Sequence, residues 1–193
     1  MGRPRRSALP PWSEPQARIL AAIFLADEGI HVRRIADLAG VSYSAVQREV
    51  DRFEKSGLLR SSRFQTSRIV RPNESSIYFP ELRGLLLKAY GPRTELVDLA
   101  EGLAGVDTAF IFGSWAALYG GEWVDEPGDV DVLLVGEPAP RAVEDFEAAA
   151  EDRLGRPVQA TVVSPAAWEH PLTAFVRTVK SRPHVQIGVG PDA

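Results

Sequence analysis

The chain has no cysteine, a single methionine and three histidines among its 193 residues. Without cysteine, neither a disulfide framework nor a thiolate metal site can form. His31, His170 and His184 lie far apart in the sequence and show no metal-ligand spacing, so no zinc motif is present. No apolar run approaches the roughly 18 residues that a helical membrane span needs. The basic start (Arg3, Arg5, Arg6) leads into Pro10, Pro11 and Glu14 rather than the apolar core of a secretion signal, and a cytoplasmic location is expected. What remains is an ordinary globular composition, 45% hydrophobic and 25% charged, long enough to bury two small cores.

The net charge of −4 conceals an uneven partition. Residues 1–73 hold 13 basic and 7 acidic side chains, a net of +6, whereas residues 74–193 hold 9 and 19, a net of −10. A basic half joined to an acidic half fits an anion-binding module fused to a body that does not bind nucleic acid broadly.

In the basic half, a Pro-rich arm (1–12) precedes Ser13, a candidate N-cap with Glu14 and Pro15 in the first turn behind it. Ile19, Leu20, Ile23 and Phe24 recur at helical spacing, and Gly29 follows the helix end. A short second helix is expected from Val32 to Ala39, with Val32, Ile35 and Leu38 inward. Gly40 turns the chain, and Ser42 caps a third helix that reaches about Ser56, with Gly57 at its exit. Val46, Val50 and Phe53 form one face of it; Ser44, Gln47, Arg48, Asp51, Arg52 and Lys55 form the other. Leu58 to Arg63 and Arg68 to Arg71 then read as two short strands around Phe64-Gln65-Thr66-Ser67.

Two helices joined by a glycine turn, followed by a basic hairpin, resemble the winged helix-turn-helix of ArsR/MarR-type bacterial regulators over residues 13–75. The resemblance implies double-stranded DNA as partner, with the third helix in the major groove. Ser42, Tyr43, Ser44, Gln47 and Arg48 then face base edges and nearby phosphates, while Arg52, Arg63 and Arg68 face phosphates. Tyr43 is expected close to the core side. The Arg3-Pro4-Arg5-Arg6 arm is read as a solvated tail, with reach into a minor groove as the alternative.

Residues 76–104 carry a leucine-rich helix, Glu81 to Tyr90, and a second helix, Glu95 to Leu103, capped by Thr94. They are read as a connecting or dimerisation segment. Regulators of this kind read palindromes as pairs, so a homodimer is expected.

In the last portion, 105–193, strands and helices alternate as in an α/β domain. A strand from Thr108 to Phe112 enters Gly113-Ser114, a helical segment (Trp115 to Tyr119) follows, and a later strand opens with Asp129-Val130-Asp131. Gly113 lets backbone approach a phosphate, the helix start offers N–H donors, and alternation along the strand puts Asp129 and Asp131 on one face. Paired carboxylates of this kind hold divalent metal. Gly-Ser followed 15 positions later by Asp-hydrophobic-Asp resembles the polymerase-beta-like nucleotidyltransferase superfamily, especially its small bacterial members.

That resemblance implies a nucleoside triphosphate held at Gly113 and Ser114, with Asp129 and Asp131 as metal-binding catalytic residues for Mg2+. The superfamily's active members carry a third carboxylate on a later strand. The corresponding strand here, Val158 to Val163, offers Gln159 or Thr161 in its place. Asp125 and Glu126 in the preceding loop are read as a solvated turn, with added metal ligands as the alternative. Trp115, Tyr119 and Trp123 are read as packing or as a stacking platform, and Arg177 and Lys180 as a solvated helix end or a phosphate clamp. Three functions stay open: a DNA-binding regulator with a nucleotidyltransferase-like body, an Mg2+-dependent enzyme passing NMP from an NTP to protein, RNA or a small molecule, and an antitoxin-like partner without catalysis.

Overall fold

A computed structural model describes residues 11–26, 28–64, 67–122 and 128–188, without the Phe64 side chain. The basic arm, the Gln65-Thr66 turn, Trp123, Asp125 and Glu126 lie outside the described residues. The chain is mixed helix and sheet, and its contacts divide it into two compact units, 1–89 and 90–193. The expected connecting segment is thereby shared between them.

The first unit begins with α1 (Glu14–Phe24), where the Ser13 backbone N–H donates to Gln16 Oε1 at 3.0 Å. A two-residue strand β1 (Ile30–His31) leads into α2 (Val32–Ala39), and Gly40 at φ +66° closes that helix. A left-handed residue is cheap only for glycine, so the turn between the helices is set by Gly40. Ser42 Oγ accepts the Ala45 N–H at 3.3 Å and starts α3 (Tyr43–Lys55). The hairpin β2 (Leu59–Phe64) and β3 (Ser67–Pro72) follows, and β1 pairs antiparallel with β3 to give the order β1-β3-β2. Beneath it, Ile19, Leu20 and Ile23 from α1, Ile35 from α2, Val46 and Val50 from α3, and Val70 from β3 are wholly buried. The unit ends in α4 (Phe79–Tyr90), whose Phe79 stacks on Phe24 with ring centroids 5.8 Å apart. Helix α4 starts two residues before the expected Glu81, because Pro80 sits in a first turn, where a missing N–H costs nothing. Gly29 lies beyond the helix end, at the entrance to β1.

The second unit opens with α5 (Pro92–Glu101) and continues through β4 (Val106–Phe112), α6 (Gly113–Tyr119), β5 (Val130–Gly136), α7 (Pro140–Leu154) and β6 (Val158–Val163). Two short helices, α8 (Pro165–Glu169) and α9 (Ala174–Ser181), and a closing strand β7 (Val185–Gln186) complete it. The sheet order is β6-β5-β4-β7: β5 runs parallel to β6 and antiparallel to β4, and β7 lies antiparallel on β4. Central β5 is buried from Val132 to Gly136 without interruption, as a strand covered on both faces must be. Helices α5 and α7 pack against each other and reach β4 and β6 respectively. Trp168 of α8 and Val179 of α9 close over Phe110, Leu133 and Val135.

Two outer donors of edge strand β6 are covered by α7. Glu147 Oε1 accepts the Ala160 N–H at 2.7 Å and Glu151 Oε1 accepts the Val158 N–H at 3.2 Å. Four helical residues rise about 6 Å and two strand residues about 6.6 Å, so glutamates one turn apart on α7 match alternate N–H groups of the strand. Charged acceptors along an edge also discourage pairing with another chain. A hydrogen bond to a charged group contributes about 1.5–3 kcal/mol. We expect Glu147→Ala to lower the urea unfolding free energy by about the lower end of that range, and Glu147→Gln to lose less because its amide oxygen still accepts. Equal stability of all three proteins would show that the carboxylate does not hold the edge.

Candidate functional site

Helix α3 presents two chemically distinct faces. Val46, Val50 and Phe53 are buried, while Ser42, Ser44, Arg48, Asp51, Arg52 and Lys55 are exposed and Gln47 is half-buried. Tyr43 departs from expectation. It is 49% exposed rather than close to the core, because it occupies the first helical position, where the side chain leaves the end of the helix instead of its packed stripe. Its hydroxyl accepts a long hydrogen bond from Gln47 Nε2, 3.4 Å away. Arg48 carries no ion pair among the described residues, and Arg52 only a loose one to Glu49 at 3.8 Å with its side chain 70% exposed. Pairs of that kind contribute little and exchange readily for a phosphate.

Arg63 and Arg68 face each other across the hairpin, yet they differ in circumstance. Arg63 is exposed and has no ion pair among the described residues. Arg68 is turned onto α3: Nη1 meets Asp51 Oδ1 at 2.6 Å, Nη2 meets Glu54, and Nε donates to Ser61 Oγ at 2.9 Å. Burial works to lower its pKa, but the hydrogen bonds to Asp51 and Glu54 outweigh that and hold the guanidinium above its ordinary value. Arg68, expected to meet phosphate, thus has three of its donors engaged inside the protein.

The sequence reading missed Arg33, which is exposed at the start of α2. It lines an open groove with His31, Val32, Tyr43, Ser67 and Arg68, between the starts of α2 and α3 and the hairpin. Its signal was a pair of arginines set between the core positions Val32 and Ile35. Arg60 and Arg71, also missed, are exposed cross-strand partners on the hairpin.

In the second unit the register gathers the expected residues at one end of the sheet. Asp131 of β5 lies opposite Phe112 of β4 and Gln159 of β6. Asp129 stands one residue before β5, and Gln159 Nε2 points to its Oδ2 at 3.4 Å. Thr161 is two residues further along, opposite Leu133, so Gln159 is the residue beside the aspartates. Gly113 begins α6 at φ +69°, and a Cβ there would come within 2.6 Å of Asp131 Oδ2. Only glycine lets the carboxylate sit against that turn. Ser114 follows in the first turn of the seven-residue α6. Burial, and secondarily the charge of Asp129, raise the Asp131 pKa above the usual carboxylate value. Among the described residues no group of three metal-ligating side chains occurs.

The neighbouring candidates take structural parts. Trp115 is 2% exposed, with the Arg156 guanidinium 4.7 Å from its ring centre, so it packs and offers no open stacking face. Tyr119 accepts the Arg93 backbone N–H at 3.0 Å, and burial pushes its phenol pKa up. Lys180 covers the Trp168 ring at 4.6 Å, and Arg177 donates to the Leu172 carbonyl at 2.8 Å.

Residues 13–60, from the cap of α1 into β2, match the homeodomain-like domain family. No curated protein and no solved structure matches the chain. The family match and the two-faced α3 together support a helix-turn-helix DNA-binding domain at the N-terminus.

The raised pKa of Asp131 fixes the sign of a pH effect. A carboxyl that holds its proton more tightly folded than unfolded loses stability for the fold as pH rises from the ordinary carboxylate range through the raised value. We expect Asp131→Asn to raise the melting temperature at neutral pH, with the gain shrinking as the pH is lowered into the acid range. A melting temperature for Asp131→Asn at or below the wild type at neutral pH would contradict this.

Proposed function

We propose that the protein is a DNA-binding transcriptional regulator that lays α3 in the major groove, its C-terminal unit being nucleotidyltransferase-like in layout and non-catalytic in role. The observation that carries the reading is the division of α3. Val46, Val50 and Phe53 anchor it, leaving Ser42, Tyr43, Ser44, Gln47 and Arg48 toward base edges and Arg52 and Arg63 toward phosphates. A helix can read a groove only if its back is fixed, and this back is fixed by apolar burial. The reading includes pairing of two copies on a palindromic operator, as two-fold DNA sites require.

The C-terminal unit favours binding or assembly over group transfer. Two-metal phosphoryl chemistry needs anionic oxygens around both ions. Here the third position presents the Gln159 amide, whose Nε2 lies toward Asp129 and whose neutral oxygen is a weaker ligand for a hard cation than a carboxylate. The residues present therefore do not fit a two-metal transfer centre.

Duplex fragments retained by the purified protein should bind with an affinity that falls linearly in log–log form as salt rises. Arg48→Ala should cost about 1–3 kcal/mol and relax sequence preference, whereas Arg52→Ala should weaken all sequences alike and lower the salt slope by about 1. Indifference of binding to both changes would remove α3 from the interface. Labelled ATP and Mg2+ should yield no transfer product; transfer abolished by Asp131→Ala would establish the enzyme instead.

A further inference from the structure

We propose that Arg68 is a positioning residue that pins the hairpin to α3, so that Arg63 is held beside the recognition helix to meet a backbone phosphate. The inference rests on the DNA-binding reading above and names how its wing is aimed.

Arg63 and Arg68 are directly opposed on β2 and β3. Like charges opposed across strands repel and would splay the hairpin. The repulsion is countered from one side only. Asp51 and Glu54, one turn apart on α3, take both ends of the Arg68 fork, while Ser61 on the hairpin's other strand takes Nε. Three donors of one planar group thus join α3, β2 and β3. Arg68 is neutralised by this, and Arg63 is left as the positive charge on the same face of the hairpin.

The position of the pin along the strand matters. Val70, wholly buried, anchors β3 to the core, and Arg68 is the next residue on that face toward the turn. Beyond it, no described residue of β3 ties the hairpin to α3. A two-stranded ribbon is marginal alone in water, so the outer part of this one depends on the ion pairs for its direction. Arg68 itself, with 18% of its side chain exposed, is withdrawn from solvent.

Charge counting and positioning predict opposite results for one variant, Asp51→Ala/Glu54→Ala. Removing two negative charges from the recognition helix should tighten DNA binding if charge alone matters, and all the more if the released Arg68 meets a phosphate. If Arg68 pins the wing, affinity at fixed salt should instead fall about fivefold, the size expected from losing a modest positioned contact. Amide hydrogen exchange in the free variant should rise in β2 and β3 while α1 and α2 stay protected. Arg68→Lys should retain part of the affinity, since an ammonium still attracts the acids without the fork. Arg63→Gln should lower the salt slope by about 0.9 in the wild-type background and by much less in an Arg68→Gln background, where the wing is already released. Tighter binding of the double variant, or hairpin exchange unchanged in it, overturns the pin. A wild-type protein that binds no duplex at any salt overturns the DNA-binding reading and the aim toward phosphate with it; the exchange result in the free protein then still shows separately whether Arg68 fastens the hairpin.

Discussion

The burial of Val46, Val50 and Phe53 against the rest of the first unit decides which side of α3 faces outward. Each such side chain contributes about 1.5–3 kcal/mol by leaving water. Turning α3 by half a revolution would expose all three and bury Arg48 and Arg52 among Ile19, Ile23 and Ile35, a state no ion pair in the unit could offset. The polar face is thus a consequence of the apolar one. The left-handed turn at Gly40 and the Ser42 cap fix where the helix starts, and the same stripe fixes its rotation.

The second unit gathers Gly113, Asp129, Asp131 and Gln159 at one end of its sheet. The turn from β4 into α6 needs glycine because a carboxylate presses on it, and burial keeps that carboxylate's pKa high. Gln159 places a neutral amide beside two carboxylates, one of which burial makes reluctant to ionise.

Where local pattern carried the information, the sequence was legible. The span Val32 to Ala39 and the strand Val158 to Val163 agree with the structure to the residue, since caps, glycines and β-branched runs mark them. What depended on distant partners was not legible. Strands β1 and β7 are two residues each and exist only through pairing with β3 and β4, and a Pro- and Gly-bearing tail gave no sign of the second. The fate of Arg68 lay with acids 14 and 17 positions away. Composition marks it as one more basic side chain on a hairpin; only the packing of the hairpin on α3 reveals it as spent. The choice between Gln159 and Thr161 likewise waited on strand register.

The charge partition acquires a physical meaning from these contacts. Of the acidic side chains in the basic half, Asp51 and Glu54 are bound to Arg68 and Glu49 to Gln16, so negative charge there serves to hold the helix and hairpin. The exposed arginines without such partners among the described residues, Arg33, Arg48, Arg60, Arg63 and Arg71, are what an approaching polyanion meets. Screening limits direct repulsion from the acidic half to roughly 8–10 Å at physiological salt. Its excess of −10 is therefore felt chiefly by a polyanion brought close to that half.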